Sequence, residues 1–294
     1  MDDKNLLAER FEADRPHLRS VAYRMLGSLA EADDAVQEAW LRLSRSDTSE
    51  VANLGGWLTT VVGRICLDML RSRTSRREDP LDVYLPDPIV SSISGTDPEQ
   101  EAMITDSVGL AMLVVLDTLP PAERLAFVLH DMFAVPFDEI ADIVGRNAAA
   151  TRQLASRARR RVQGAVPEPE TDPARQRKVV EAFVAASRGG DFEALVSLLD
   201  PDVVLRVDGG ALAPALSKLV RGAQQVASQA WMYRRFAPLA RLALVNGAVG
   251  TVTAPEGEAM SVMAFTVSRG KIVRLDILAD PSRLARIDLT VLDP

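Results

Sequence analysis

The chain has 294 residues, 47% hydrophobic and 26% charged, with 34 Lys and Arg against 41 Asp and Glu for a formal net charge of −7. That is the composition of an ordinary globular protein, long enough for two or three cores. One cysteine, Cys66, excludes an internal disulfide framework, two histidines (His17 and His130) leave little for zinc or His-based catalysis, and the longest apolar stretch, Val108–Leu116, is far too short for a bilayer.

The charged start MDDKNLLAERFEADR predicts no signal peptide, so a cytoplasmic protein with no membrane partner is expected. Taken whole, the acidity argues against nucleic acid as a partner. Its distribution reverses that inference. Residues 1–77 balance 12 basic against 12 acidic side chains, whereas residues 78–123 hold ten carboxylates and no Lys or Arg. Residues 124–172 balance again at seven of each sign, and residues 173–294 carry 15 basic against 12 acidic.

In chain order, Leu18, Val21, Ala22, Met25 and Leu26 mark one face of a helix, interrupted at Gly27-Ser28. Ala32, Val36, Ala39, Trp40 and Leu43 mark a second, with Asp33, Asp34, Gln37, Glu38 and Arg42 on its polar side. After an expected loop over residues 51–56, a third helix is predicted from Trp57 to about Arg73, with a basic end at Arg64, Arg71, Arg73, Arg76 and Arg77 opposed only by Asp68. Such an end suits phosphate contacts, and equally a bundle with solvated charged faces. Residues 78–101 carry four prolines and no helical period, and read as a linker.

A helix opening at Leu119-Pro120-Pro121 leads to Pro136, a short helix with Phe137, Ile140, Ala141 and Val144 buried, a Gly145 turn, and an Asn147 cap. The helix that follows, about Ala148 to Gln163, packs through Leu154, Ala158 and Val162. Between Gly145 and Gln163 the chain holds six arginines and no acid. This matches a helix-turn-helix whose second helix enters the major groove. Arg pairs with guanine and Gln with adenine there, while further arginines meet phosphate. An exposed cationic helix on an ordinary bundle is the alternative. The residues expected to face DNA are Asn147, Thr151, Arg152, Gln153, Ser156, Arg157 and Arg160.

A second break, Pro167 to Pro173, precedes the last module. Helices are predicted over Arg175–Arg188 and from an Asp191 cap to Leu199, a strand over Val203–Val207, and a helix about Gln224 to Arg235. Two hairpins follow, turning at Asn246-Gly247 and Arg269-Gly270. Helices followed by an antiparallel meander describe an α+β cone around a pocket. Asp208 and Asp276 could line that pocket, but residues 173–294 contain no His and only Tyr233 among tyrosines, so a catalytic role is disfavoured and no cofactor is expected.

The first two modules resemble the bacterial extracytoplasmic-function (ECF) sigma factors. The run Asp33-Asp34-Ala35-Val36-Gln37-Glu38-Ala39-Trp40-Leu41-Arg42-Leu43, then Trp57-Leu58 and Leu67-Asp68-Met69-Leu70-Arg71, stands where that family has region 2. Leu119-Pro120, Glu139-Ile140-Ala141 and Ser156-Arg157-Ala158-Arg159 stand where it has region 4. The resemblance implies a non-catalytic subunit that binds core RNA polymerase and directs promoter-specific initiation. It places Asp33, Asp34, Gln37 and Glu38 against the β′ clamp helices, Asn53, Leu54, Gly55, Arg64, Asp68 and Arg71 at the −10 element, and the helix-turn-helix residues at −35. Leu54 stands where relatives often carry an aromatic, and Arg64 where Asn is common.

The last module looks like a SnoaL-like, NTF2-type domain, which also occurs in polyketide cyclases and ketosteroid isomerase. Sigma-J-like factors carry such an extension, and three of their motifs have counterparts: Tyr84-Leu-Pro86-Asp-Pro88, Asp208-Gly209-Gly210-Ala211 and Asp280-Pro281-Ser-Arg-Leu284. In that group the extension modulates activity in cis, with an unknown small ligand as a further candidate partner. The expected layout is multidomain. Two all-α sigma domains (5–77 and 105–164) and an α+β cone (174–288) are joined by linkers at 78–104 and 165–173. The acidic linker reads either as a solvated spacer or as a polyanion suited to a polymerase channel. The rivals are a conventional helix-turn-helix regulator with an effector pocket, and an isomerase or cyclase tethered to a DNA-binding module.

Overall fold

The computed structural model describes residues 2–46, 51, 53–75, 83–93, 109–165, 170, 172–290 and 292. Arg76, Arg77, the two ends of the acidic linker and Pro167 lie outside the described residues. The chain forms two compact units, Met1–Asp79 with Leu113–Ala165, and Pro80–Met112 with Val166–Pro294. The two helical modules therefore share one unit, and the described part of the linker belongs to the other.

In the first unit, α1 (Asp2–Leu26) buries Leu18, Val21, Ala22, Met25 and Leu26 completely, as the periodicity predicts. Ser28 caps α2 (Leu29–Leu43), which buries Ala32, Val36, Ala39 and Leu43. The third helix, α3 (Leu54–Ser75), opens three residues earlier than expected. Asn53 accepts the Gly56 N–H on its side chain at 3.1 Å and the Trp57 N–H on its carbonyl, so it is the cap. Leu54 and Gly55 thus sit in a first helical turn, not in a loop.

After α4 (Leu110–Asp117), α5 (Pro121–Phe127) runs on through one π turn at Val128–Met132, and α6 (Phe137–Val144) and α7 (Ala148–Ala165) complete the unit. Between α6 and α7, Gly145 turns the chain at φ +68 and the Asn147 side chain accepts the Ala150 N–H at 2.8 Å. Both assignments follow the sequence reading.

Region 2-like and region 4-like helices pack directly. Gly63 on α3 leaves room for Leu125, Leu129 and Ile143; a methyl there would press on Leu129. Buried Arg124 donates to the Met25 carbonyl at 2.8 Å and pairs with Asp117 at 2.8 Å. Arg24 lies 4.5 Å over the Phe133 ring.

The second unit is built on α8 (Pro173–Gly189), α9 (Phe192–Leu198), β2 (Leu199–Asp208), β3 (Lys218–Arg221), α10 (Ala223–Met232), β4 (Ala240–Val245), β5 (Ala248–Thr253), β6 (Ser261–Ser268) and β7 (Lys271–Leu278), ending in the short α11 (Pro281–Leu284). Asn246 and Gly247 at φ +50 and +76, and Arg269 and Gly270 at +51 and +74, make the two predicted tight hairpins. Only Gly or a tolerant polar residue takes such angles cheaply.

The sheet order is β1-β4-β5-β6-β7-β2-β3, where β1 is Val90–Ser91 of the linker. Local sequence patterning does not predict β1, β3 or the parallel pairing of β2 with β7. The parallel pair closes the sheet between strands 60 residues or more apart, which local patterning does not reveal. Helices α8 to α10 cover one sheet face around Phe183, Leu195, Leu205, Val226, Phe265 and Leu275. The Phe183 and Phe265 rings meet edge to face at 5.5 Å.

Candidate functional site

The side chains expected at −35 fall on α7 and its cap. Asn147, Arg152, Gln153, Ser156, Arg157 and Arg160 are exposed. Thr151 is the exception: it is fully buried, and its hydroxyl donates to the Asn147 carbonyl at 3.0 Å. The geometry removes it from the DNA-facing set, because helical spacing puts it on the buried face of α7 with Leu154, Ala155 and Ala158. Not all the arginines project outward either. Arg161 donates to buried Glu123 at 2.8 Å and Arg159 to Asp131 at 2.5 Å, both tying α7 to α5 and its π turn. Arg157 comes within 3.9 Å of Glu123, while Arg152 lies 5.5 Å over the Phe137 ring. Arg152, Gln153, Arg160 and the still largely exposed Arg157 define a polar, cationic outer face.

On α3, Arg64, Asp68 and Arg71 are exposed at four- and three-residue intervals, one stripe of the helix, with Arg71 3.8 Å from Asp68. Asn53 is exposed but holds the helix cap, and Leu54 and Gly55 are half-buried beside it. Arg64 shares a groove with Arg42 and Arg45 at the end of α2, and with Glu139 and Asp142 of α6. On α2, Asp33, Asp34 and Gln37 are exposed and Glu38 half-buried; Arg19 donates to Asp33 at 2.6 Å and Arg42 to Glu38 at 3.0 Å.

In the second unit, the three short motifs converge. The carboxylate of Asp208, 2% exposed, accepts the Gly210 N–H at 3.0 Å, the Leu85 N–H at 2.9 Å and Arg283 at 2.8 Å. Arg283 also donates to Asp87 at 2.7 Å and to the Leu85 carbonyl at 2.6 Å, and lies 5.0 Å over the Tyr84 ring. Asp280 caps α11 through Ser282 at 2.9 Å, which fixes the turn that presents Arg283. Pro281 is the exposed first residue of that helix, whereas Leu284 and Pro86 are buried.

Gly210, at φ +63, lies so close to Asp280 that any Cβ would overlap the carboxylate, and a Cβ on Gly209 would overlap the Ala213 carbonyl. Both glycines of the motif are thereby required. Further along, Asn246 and Ile89 exchange two hydrogen bonds (3.1 and 2.8 Å), leading into the pairing of β1 with β4. Residues 84–91 are thus a docked segment that ends in the strand β1, which sets aside the solvated-spacer reading for this stretch.

Arg283, Asp87 and Asn246 are site residues that the sequence does not mark out by themselves. The signal for the first two was their place inside the motifs already quoted. Asn246 was legible only as a turn residue, since nothing local tells that its side chain meets a segment 157 positions away.

The cavity of this unit is lined by alternate residues of β2, β5, β6 and β7, including Leu205, Val207, Thr251, Met263, Leu275 and Ile277. Asp208 and Asp276 point to the opposite face, so neither lines it, contrary to the expectation. Burial raises the Asp276 carboxyl above the ordinary range, opposed by Arg274 and Arg206, and Arg274 holds it at 2.8 Å. The cavity wall carries, among the described residues, no carboxylate or histidine of the kind an isomerase or cyclase uses as its base. Among the described residues, no group of three or more His, Cys, Asp or Glu could hold a metal, and no helix is long and apolar enough to cross a membrane.

The helical modules carry family signatures: residues 10–76 match the model for Sigma-70 region 2, and residues 110–162 that for Sigma-70, region 4. A region 2 bundle joined to a region 4 helix-turn-helix defines a sigma subunit of RNA polymerase. The ECF RNA polymerase sigma factor SigJ of Mycobacterium tuberculosis is 43% identical over 93% of this chain and 91% of its own length. The probable ECF RNA polymerase sigma factor SigI of the same species is 34% identical over 97% of both chains. The crystal structure of M. tuberculosis SigJ superposes with a TM-score of 0.77 at 42% identity, covering 94% of this chain and 97% of that one. The chain belongs to the ECF sigma factors, with a C-terminal α+β domain following the two sigma domains. As a sigma factor it binds RNA polymerase and directs transcription initiation at promoters, without catalysing a reaction itself.

Proposed function

We propose that this sigma factor reads −35 DNA with α7 and −10 DNA with the α3 stripe, and that its C-terminal domain controls it in cis through the docked linker. It acts where polymerase is, in the cytoplasm. Gln153 and Arg152, at the N-terminal end of the recognition helix, are the base-edge readers, and Arg157 and Arg160 the phosphate contacts. Arg64 and Arg71 meet the −10 strand, with Asn53 placing the helix start and Leu54 and Gly55 beside it. Asp33, Asp34, Gln37 and Glu38 form the acidic and amide face offered to the polymerase β′ clamp helices. The domain layout of 5–77, 105–164 and 174–288 underlies this division.

The observation that carries cis control is the capture of the linker between the two sigma domains by Arg283, Asp208 and Asn246. A segment whose docking is a discrete set of bonds gives two states, docked and released, and any state-selective contact shifts their balance. The groove supports the same reading: Glu139 and Asp142 stand beside Arg42, Arg45 and Arg64, cations a promoter needs. Entry of DNA there requires α6 to leave α3.

The test is in vitro transcription with purified core polymerase, on promoters selected by the protein, comparing the full chain, the chain without residues 173–294, and full-length Arg283→Met. Initiation above core alone is expected. At matched polymerase occupancy, both altered forms should change output in the same direction. No initiation, with a competent control sigma, overturns the promoter reading; equal output from all three forms overturns cis control.

A further inference from the structure

The second unit encloses a cavity of about 490 Å³, within the range of small-molecule sites. Its walls are mostly apolar: Phe183, Val226, Met260, Met263, Phe265 and Leu275. Two features distinguish it from a packing defect. Ser187 on α8, 7% exposed, lines the cavity with a buried hydroxyl that has no hydrogen-bond partner among the described residues. A serine in a helix normally returns its hydroxyl to the preceding turn, and leaving one buried and unpaired costs roughly 1–3 kcal/mol. The charge on the wall is also one-sided, with Lys218 and Arg235 present and no acid among the described residues. Lys218 is held in place, bonded to Gln229 at 2.6 Å and 5.1 Å over the Tyr233 ring.

We propose that the cavity is a binding site for a small apolar molecule bearing one anionic group, an aliphatic or aromatic carboxylic acid. Its body lies among Phe183, Met263 and Phe265, Ser187 supplies an inner hydrogen bond, and Lys218 holds the anion. The wall's cations, with no acid among the described residues, select for an anion over a cation. Exposed Leu216 and Tyr233 also line it, placing apolar surface where such a ligand enters. The site stands whether or not the linker proves regulatory. Its wall residues Val207 and Ala279 immediately precede Asp208 and Asp280 of the linker site, and the Ala279 N–H donates to the Asp208 carbonyl at 2.7 Å.

Titration calorimetry on the full chain tests this with three probes of equal length: octanoate, 1-octanol and octylammonium. Octanoate is expected to bind at one per chain, roughly tenfold or more tighter than either other probe. Lys218→Met should remove that advantage while leaving octanol affinity unchanged. Ser187→Ala should weaken octanoate with an unaltered thermal melt, and Met263→Trp, filling the space, should abolish binding of both octanoate and octanol. If Met263→Trp fails to fold, Lys218→Met still decides. The proposal is overturned by no saturable octanoate binding, by equal affinities for the three probes, or by Lys218→Met binding octanoate as tightly as the parent.

Discussion

Replacing Arg283 by methionine keeps an unbranched apolar stem and deletes the guanidinium. The Arg283 side chain is 13% exposed, and its guanidinium serves three acceptors: the nearly fully buried Asp208 side chain, the Asp87 side chain (17% exposed) and the Leu85 carbonyl. Breaking a buried pair from one side costs about 3–5 kcal/mol, because the partner charge stays buried. Asp208 keeps the N–H groups of Gly210 and Leu85, which places the loss near the lower end, ~3 kcal/mol. At about 1.4 kcal/mol per tenfold, the docked linker loses stability by a factor of roughly 10² relative to the released one. Amide hydrogen exchange reads this directly, since the Leu85 N–H is bonded to Asp208 and the Asn246 N–H to the Ile89 carbonyl. Both amides should exchange roughly 10²-fold faster in Arg283→Met, while core amides of β6 and β7 keep their rates. Arg283→Lys should fall between, because one ammonium cannot span three acceptors in the plane of a guanidinium. Parent-like exchange at Leu85 and Asn246 in Arg283→Met would refute the reasoning.

Other substitutions follow from the same geometry. Gly210→Ala forces a Cβ into Asp280 at a left-handed φ, and should cost about 2 kcal/mol or more and speed Leu85 exchange, with α8 amides as the internal control. Arg124→Met removes the bonds to Met25 and Asp117, and should lower the stability of the first unit by roughly 3 kcal/mol, read by denaturant unfolding followed at Trp40 and Trp57. On promoter DNA, Gln153→Ala should cost about 1–3 kcal/mol at a single −35 base pair and relax selection there. Arg160→Ala should weaken binding to all sequences alike and reduce the salt slope by about one. Thr151→Val should leave both unchanged, because its side chain is buried against the helix.

The recognition helix was almost fully legible: Gly145, Asn147 and the buried spacing of Leu154, Ala158 and Val162 fix the turn, the start and the inner face. Spacing did not separate Thr151 from its neighbours, since a helix face is assigned only to within a residue, and one polar side chain can complete a cap instead of facing water. The acidic linker was legible as a break in helical period, and its motif by resemblance. That it becomes a strand edge was not.

What the sequence by itself determined are the features set by near neighbours: helices by apolar period, hairpins by Asn246-Gly247 and Arg269-Gly270, the helix-turn-helix by a glycine at the right distance, and the sigma class by motifs within those elements. The tertiary structure decided what depends on residues far apart in the chain. It joined the first two modules through Arg124 and Gly63, and set β2 beside β7. It turned Asp208 and Asp276 away from the cavity, and brought Tyr84, Asp208 and Arg283 to one point. The reason is physical. Local preferences fix backbone angles within a turn or two, whereas a buried ion cluster becomes favourable only when segments from distant parts of the chain have already been desolvated together.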